Sequence, residues 1–408
     1  MNVVLKNNKN KSTSNKSQSL SFSSETALFF LTLLLWIDRI LLTYIRAFAL
    51  RLPFIGSLTD YFIIVAYAFL IVFSIPQILK HLRLGDFIFL FVTVIICVLN
   101  HLLFVDNVEV SNEFLPVFLF LTFPLYFVGV SLDFEKVYPW LYRLSLITIA
   151  SFTVYKLFFS APMTDVESLY AGDMWSAYNV LPHVCVVALA ALKKPGLINI
   201  AMTVTGIVMI ALLGSRGPLL CAVLAIIVYL IFFKRHKHPF LTCFSIIAVA
   251  MVVIIQLNTI MQVLYELADS AGLSIRIFDK FFEGTFSDSS DRDKIAVQLY
   301  ERIAENPVFG YGLFSDRVAT GTYAHNIAIE LWHAFGVFFG TAILGGIVVI
   351  LGRAAIKVKK IEQYALLYIP LFFAGFVKLF LSGSILNELY LFMLLGFSVN
   401  LMRPRKYH

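Results

Sequence analysis

Two short segments, far apart in the chain, carry the side chains best suited to chemistry. The first is Gly214-Ser215-Arg216-Gly217-Pro218, set between two apolar runs. Glycines on both sides expose backbone N–H groups, and Pro218 suits an early helical position. Free amides at a helix start, with Ser215 and a guanidinium beside them, make an anion site. The competing reading of Arg216 is an end charge that snorkels to lipid phosphate. The second segment is Ala324-His325-Asn326, where a long polar stretch meets another apolar run. A histidine at that mouth can take or give a proton near neutral pH, and Asn326 can hydrogen-bond beside it. A turn-filling interfacial histidine is the plain alternative.

Other groups join these two. Arg276 and Arg292 lie in the polar stretch and can hold phosphate or sugar, although a lone loop arginine is by default surface charge. Tyr323 offers an aromatic face for a sugar or an interface anchor. Lys378 sits deep in an apolar run, where a charge needs a functional reason, and Glu388, Asn387 and Tyr390 follow within pairing range in the sequence. His333 and Glu330 lie further along the run that His325 opens, and His333 reads as a buried structural residue. No P-loop, H-E-x-x-H or G-x-S-x-G segment occurs. No acidic pair has metal-ligand spacing at the end of an apolar run, so no metal or cofactor is expected.

The elements that must position these groups are membrane helices. Hydrophobic residues make up 60% of the 408 and charged residues only 14%, about half the usual globular share. Such a chain cannot furnish the charged surface of a soluble protein. The net charge of +7 is scattered in short runs between apolar segments, which argues against nucleic acid as a partner. Cys97, Cys185, Cys221 and Cys243 form no C-x-x-C pair and suggest neither zinc nor a disulfide framework. The pattern predicts an all-α, polytopic membrane protein.

About twelve spans are expected, each long enough to cross roughly 30 Å of hydrocarbon. They lie near 26–45, 58–78, 85–105, 114–131, 138–159, 177–192, 197–213, 217–233, 239–258, 325–351, 364–381 and 385–401. Residues 1–24 read as a disordered cytoplasmic tail, 25–258 as the first nine spans, 259–324 as a large outer loop with short helices, 325–402 as the last three spans, and 403–408 as a second tail. Placing the amino-terminal tail inside puts Lys80, Arg83, Lys136, Lys193, Lys194, Lys234, Arg353, Lys357 and Arg403 on inward connections, as the positive-inside rule asks. Arg46 and Arg51 are the exceptions. Both termini are then cytoplasmic, and Arg216, the 259–324 loop and His325 share the outer face. In that loop, 291–304 has helical periodicity, Asn306-Pro307 ends the helix, and Gly310 and Gly312 make a tight turn.

Asn306-Pro-Val-Phe-Gly-Tyr-Gly312, followed by Ala324-His-Asn326, Glu330-Leu-Trp332 and Gly336, resembles the signature of the O-antigen polymerase and O-antigen ligase superfamily. Gly214-Ser-Arg-Gly217 resembles that superfamily's arginine-bearing motif, and Arg292 the arginine that opens its outer-loop helix. The resemblance is close over roughly 205–225 and 290–340, and extends through the span layout to most of the chain. It implies a glycosyltransferase of the GT-C type in the bacterial inner membrane. Donor and acceptor would be lipid-linked glycans on undecaprenyl diphosphate, and the reaction inverting and metal-independent. It further implies that Arg216 and Arg292 hold the donor diphosphate. His325 would orient or deprotonate the acceptor hydroxyl, or steady the leaving diphosphate, with Asn326 orienting the imidazole. A chain-length co-polymerase and a flippase would be partners. Gly336 and Gly340 form Gly-x-x-x-Gly where the ligase form is Gly-x-x-Gly, which favours the polymerase over the ligase. A secondary transporter is the alternative from another class, but no internal repeat supports it.

Overall fold

A computed structural model describes residues 23–49, 53–156, 166–213, 216–233 and 292–403, with isolated positions between 256 and 270. The expected ninth span, 239–258, falls almost wholly outside the described residues, as do Ser215 and Arg276. Among the described residues every element is helical. The helices are α1 (Ser24–Ala49), α2 (Pro53–His81), α3 (Leu84–Leu103), α4 (Val108–Val117), α5 (Pro124–Val130), α6 (Phe134–Val154), α7 (Val166–Lys193), α8 (Leu197–Leu212), α9 (Arg216–Phe233), α10 (Arg292–Glu305), α11 (Ser315–Thr320), α12 (Ile327–Lys360), α13 (Glu362–Leu371) and α14 (Leu389–Met402). Wide π-turns at Phe118–Thr122 and Phe372–Phe376 interrupt the runs around α4 and α13.

Among the described residues, six helical stretches are long and apolar enough to cross a membrane: Leu84–Leu103, Val105–Val130, Met174–Lys193, Arg216–Phe233, Ile327–Lys360 and Glu362–Phe380. Burial divides the apolar helices, these six and shorter ones such as α14, into two kinds. The described part of α7 and nearly all of α14 are buried, with Val180, Leu181, Val184, Leu391 and Leu394 fully enclosed. By contrast, α3 turns Phe87, Ile88, Phe91, Leu102 and Leu103 outward. Large apolar side chains on an outer surface are costly in water and cheap in lipid, so the chain is a polytopic α-helical membrane protein.

Between helices in lipid, close packing replaces the hydrophobic drive, and small residues allow it. At the α5–α14 crossing, a Cβ on Gly396 would overlap the Tyr126 carbonyl oxygen, and one on Gly129 would overlap that of Met393. At the far end of the same bundle, Asp86 caps α3 by accepting the Arg83 backbone N–H at 2.6 Å. Its carboxylate also accepts the Tyr126 hydroxyl at 2.8 Å and pairs with Arg403. That buried group ties α3, α5 and the end of α14 together.

Candidate functional site

The turn at 306–312 is built against a break in α12. Gly336 has φ +77°, outside helical space, so α12 is two segments, 327–335 and 337–360, on different axes. A break strands backbone groups, and buried ones must find other partners. The Val337 N–H donates to the Pro307 carbonyl at 2.7 Å. The carbonyls of His333 and Ala334 accept from Tyr311 N and Gly312 N, both at 2.9 Å. Asn306 closes the turn by donating its side-chain amide to the Gly310 carbonyl at 2.7 Å. The Asn-Pro-Val-Phe-Gly-Tyr-Gly segment is therefore the brace of the kink.

His333 belongs to this brace. It is fully buried, pairs through Nδ1 with Ser315 Oγ at 2.8 Å, and stacks on Tyr311 at 5.1 Å. Arg302 covers the outer face of the same Tyr311 ring at 4.7 Å. A histidine so enclosed is a packing residue, as its depth in the run suggests.

The short segment 327–335 is thus fixed from below, and its first residues carry the candidate site. Asn326 is its cap: Oδ1 accepts the N–H groups of Ala328 at 2.9 Å and Ile329 at 3.4 Å. That satisfies two of the donors that a helix start leaves free. Its amide reaches the Phe380 carbonyl at 3.4 Å. The Asn326 side chain thus bonds to backbone groups and not to the His325 ring, so the expected hydrogen bond from Asn326 to the imidazole is not made. His325 has φ +57°, a left-handed conformation that costs a non-glycine residue about 1–3 kcal/mol. Its ring lies 4.1 Å from that of Tyr323, and its Nδ1 is buried with no hydrogen-bond partner in the structure.

A buried network holds the loop in front of His325. Asp316 Oδ2 accepts the Ala324 N–H at 2.9 Å, and Asp316 pairs with Arg317 at 3.1 Å. Arg317 donates to Ser384 Oγ at 2.9 Å, and Ser384 in turn donates to Glu330 Oε1 at 2.5 Å. Glu330 also takes the Ile385 N–H at 2.9 Å. Enclosure raises the Asp316 pKa above the usual carboxylate value, partly offset by Arg317 and the Ala324 N–H. These bonds couple the 321–326 loop to the 381–388 turn, which carries Glu388.

Arg292 opens α10 and bridges three elements. It donates to the Leu381 carbonyl at 2.9 Å and to Met174 S at 2.9 Å on α7. Its charge acts on His325: burial, then Arg292, pulls the imidazole pKa down to about 4. Lys378 and Glu388 pair directly, and Lys378 Nζ lies 5.2 Å from the Tyr178 ring centroid. Tyr178 also touches the start of α9, where a Cβ on Gly217 would overlap its hydroxyl. Arg216, the first residue of α9, is exposed beside that contact.

The structure therefore groups Arg292, Tyr323, His325, Asn326, Lys378 and Glu388, and brings the start of α9 with Arg216 against the same Tyr178. It adds Tyr178, Met174, Arg317 and Ser384. The adjacent charges Asp316-Arg317 were a readable signal for the network, whereas Tyr178 and Met174 look like ordinary residues of an apolar helix. Among the described residues, no group of three His, Cys, Asp or Glu side chains could hold a metal ion.

Residues 201–345 match the family model described as O-antigen ligase. The match spans α9 with Arg216, α10 with Arg292, the brace, and Tyr323-Ala324-His325-Asn326. Lys378 and Glu388 lie beyond it. No curated protein and no solved structure matches the chain.

Proposed function

We propose that this protein is an O-antigen polymerase. It transfers the growing glycan from undecaprenyl diphosphate to the non-reducing end of a new lipid-linked repeat unit, at the periplasmic face. The observation that carries this reading is that Arg292 and His325, both inside the matched region, lie close enough where α10 meets the start of α12 for the guanidinium charge to act on the imidazole.

The chemistry follows from those two groups. The acceptor hydroxyl oxygen attacks the anomeric carbon of the donor sugar and forms the new glycosidic bond. The anomeric carbon–oxygen bond to the diphosphate breaks, and undecaprenyl diphosphate leaves with that electron pair. The hydroxyl proton passes to His325. With its pKa lowered to about 4, the imidazole is neutral near pH 7 and can accept it. The neutral state argues against a standing cationic role on the diphosphate, although so low a pKa also makes the ring a weaker base than an ordinary histidine. Arg292, with Arg216, offsets the charge that grows on the leaving diphosphate. Attack opposite the leaving group inverts the anomeric centre. Tyr323 supplies a sugar-stacking face beside the imidazole, and the Lys378–Glu388 pair lies beside Tyr178 at the edge of the same group. Arg276 and Ser215 are proposed contacts to the same donor.

A second reading is the ligase, which passes the finished glycan to lipid A-core, and the match to a family described as O-antigen ligase favours it. The Gly336-x-x-x-Gly340 spacing favours the polymerase. A strain lacking the protein separates them. Surface glycan reduced to core plus one repeat unit supports the polymerase. Polymerised glycan retained on the lipid carrier supports the ligase, and repeat units left facing the cytoplasm would indicate a transporter.

A further inference from the structure

A cavity with polar walls lies away from the candidate site, towards the far end of α12. α12 begins beside His325 and ends at Lys360, about 1.5 Å further along per residue. Near that far end, a half-open cavity of about 950 Å³ has Lys357 and Ile361 in its wall. Three helices start there: α3 after Arg83, α6 after Asp133 and α13 after Ile361, and each of these three preceding residues lines the cavity. Helix starts present unsatisfied N–H groups and a positive dipole end.

The side chains add to that field. Lys80, Arg83, Lys357 and Arg403 line the cavity, against the carboxylates Asp133 and Glu135. Arg403 is committed to Asp86, and Asp133 faces Lys136 at 3.7 Å. Among the described residues, Lys80, Arg83 and Lys357 make no ion pair. Lys80 and Lys357 also sit near helix carboxyl ends, where a cation offsets the helix dipole, but that role does not require a cavity. Ser131 supplies an independent sign. It lines the cavity, is 5% exposed, and its hydroxyl has no hydrogen-bond partner in the structure. A buried hydroxyl normally has one.

We propose that this cavity binds a phosphate group: the diester of an anionic membrane lipid, or a free phosphate of the same chemistry. Arg83 and Lys357 hold its charge, the amides at the helix starts donate to its oxygens, and Ser131 donates to it. The volume exceeds what a free phosphate fills and leaves room for a headgroup. The charge pattern puts this end at the cytoplasmic surface, where basic pockets between helices meet anionic headgroups.

The test uses the purified full-length protein in neutral detergent. Its thermal midpoint is followed against short-chain phosphatidylglycerol, short-chain phosphatidylcholine and, in a separate arm, inorganic phosphate. Wild type is expected to gain stability with phosphatidylglycerol and not with phosphatidylcholine. In R83Q/K357Q the same gain should need about tenfold or more lipid, since a lost charged contact is worth about 1.4 kcal/mol or more. If the double variant does not fold, the single exposed-residue variant K357Q is read the same way. His325→Ala should keep the full gain, so failure of the proposed transfer activity leaves this site standing. A gain with inorganic phosphate assigns a soluble anion to the site. No gain in any arm, or an unchanged lipid dependence in the variant, overturns it.

Discussion

Val337 donates its backbone N–H to the carbonyl of Pro307, at 2.7 Å, and not to the carbonyl four residues back in its own helix. That bond exists because Gly336 leaves helical space, and it joins the membrane helix α12 to the turn that follows α10. The mouth of α12, with His325, inherits its position from this joint.

The joint can be tested by adding one methyl group. A Cβ on Gly336 would overlap the Val308 carbonyl oxygen, and the residue's φ of +77° is strained for any L side chain. Gly336→Ala is expected to destabilise the protein by about 2 kcal/mol or more, read as a lowered thermal midpoint and poor yield. Gly345→Ala is the control. It lies in the same helix with nothing within 4 Å of the added atom, and it should be neutral or stabilise by roughly 0.5–1 kcal/mol.

Arg292 should not tolerate conversion to lysine. The guanidinium spans from the Leu381 carbonyl to Met174 S, a reach that a single ammonium cannot reproduce. Arg292→Lys is expected to lower the transfer rate by about 10²-fold or more, with Arg292→Ala lower still. Initial rates measured on a defined lipid-linked substrate check this, with expression and thermal midpoint confirming that both variants fold.

The imidazole gives a pH signature. Its folded-state pKa of about 4 lies below the ordinary value of 6.5, so between these limits the unfolded chain binds more protons than the folded one. The neutral imidazole's contribution is whole above about pH 6.5 and fades as the pH falls towards 4. His325→Gln removes that component. The midpoint difference between wild type and variant should therefore change across pH 4.5–7 and stay flat above it. A difference independent of pH across that window would show that the imidazole is not held neutral.

Lys378 and Glu388 form a buried pair, with side chains 14% and 6% exposed. Removing one partner strands the other, at a cost of about 3–5 kcal/mol. Lys378→Met alone should destabilise by that order, and Lys378→Met/Glu388→Leu should recover much of the loss. Thermal midpoints of both singles and the double form the cycle, and simple addition of the two losses would deny the coupling. If the pair also lines the substrate cavity, the double variant recovers stability without recovering transfer.

The helices were legible because lipid demands long apolar runs, and charge at their ends is unmistakable. His325 was legible as a candidate too, since a polar residue at the mouth of an apolar run invites a reason, whereas Arg292, by its own context a lone loop arginine, was raised by the family resemblance. The functional sense of 306–312 was not. A Gly- and Pro-bearing segment announces a turn, but its role as hydrogen-bond partner for a broken helix depends on Gly336, whose φ no local pattern specifies. Tyr178 was silent for a similar reason. Nothing in an apolar sequence distinguishes a tyrosine facing lipid from one wedged between Gly217 and Lys378. The pairing of Arg317 with Ser384 joins residues from separate elements, and such contacts are set by the packing of whole helices.

The most direct measurement of the central proposal is transfer by the purified protein on defined undecaprenyl-diphosphate repeat units, with products resolved by length. Wild type is expected to give a ladder of lipid-linked glycans. His325→Ala and Arg292→Ala, each shown to be folded, are expected to leave the starting unit unchanged or nearly so. A ladder of wild-type length from both variants would contradict the assignment of catalysis to these residues. A folded wild-type protein that elongates no unit, but transfers preformed glycan to lipid A-core, would contradict the polymerase reading itself.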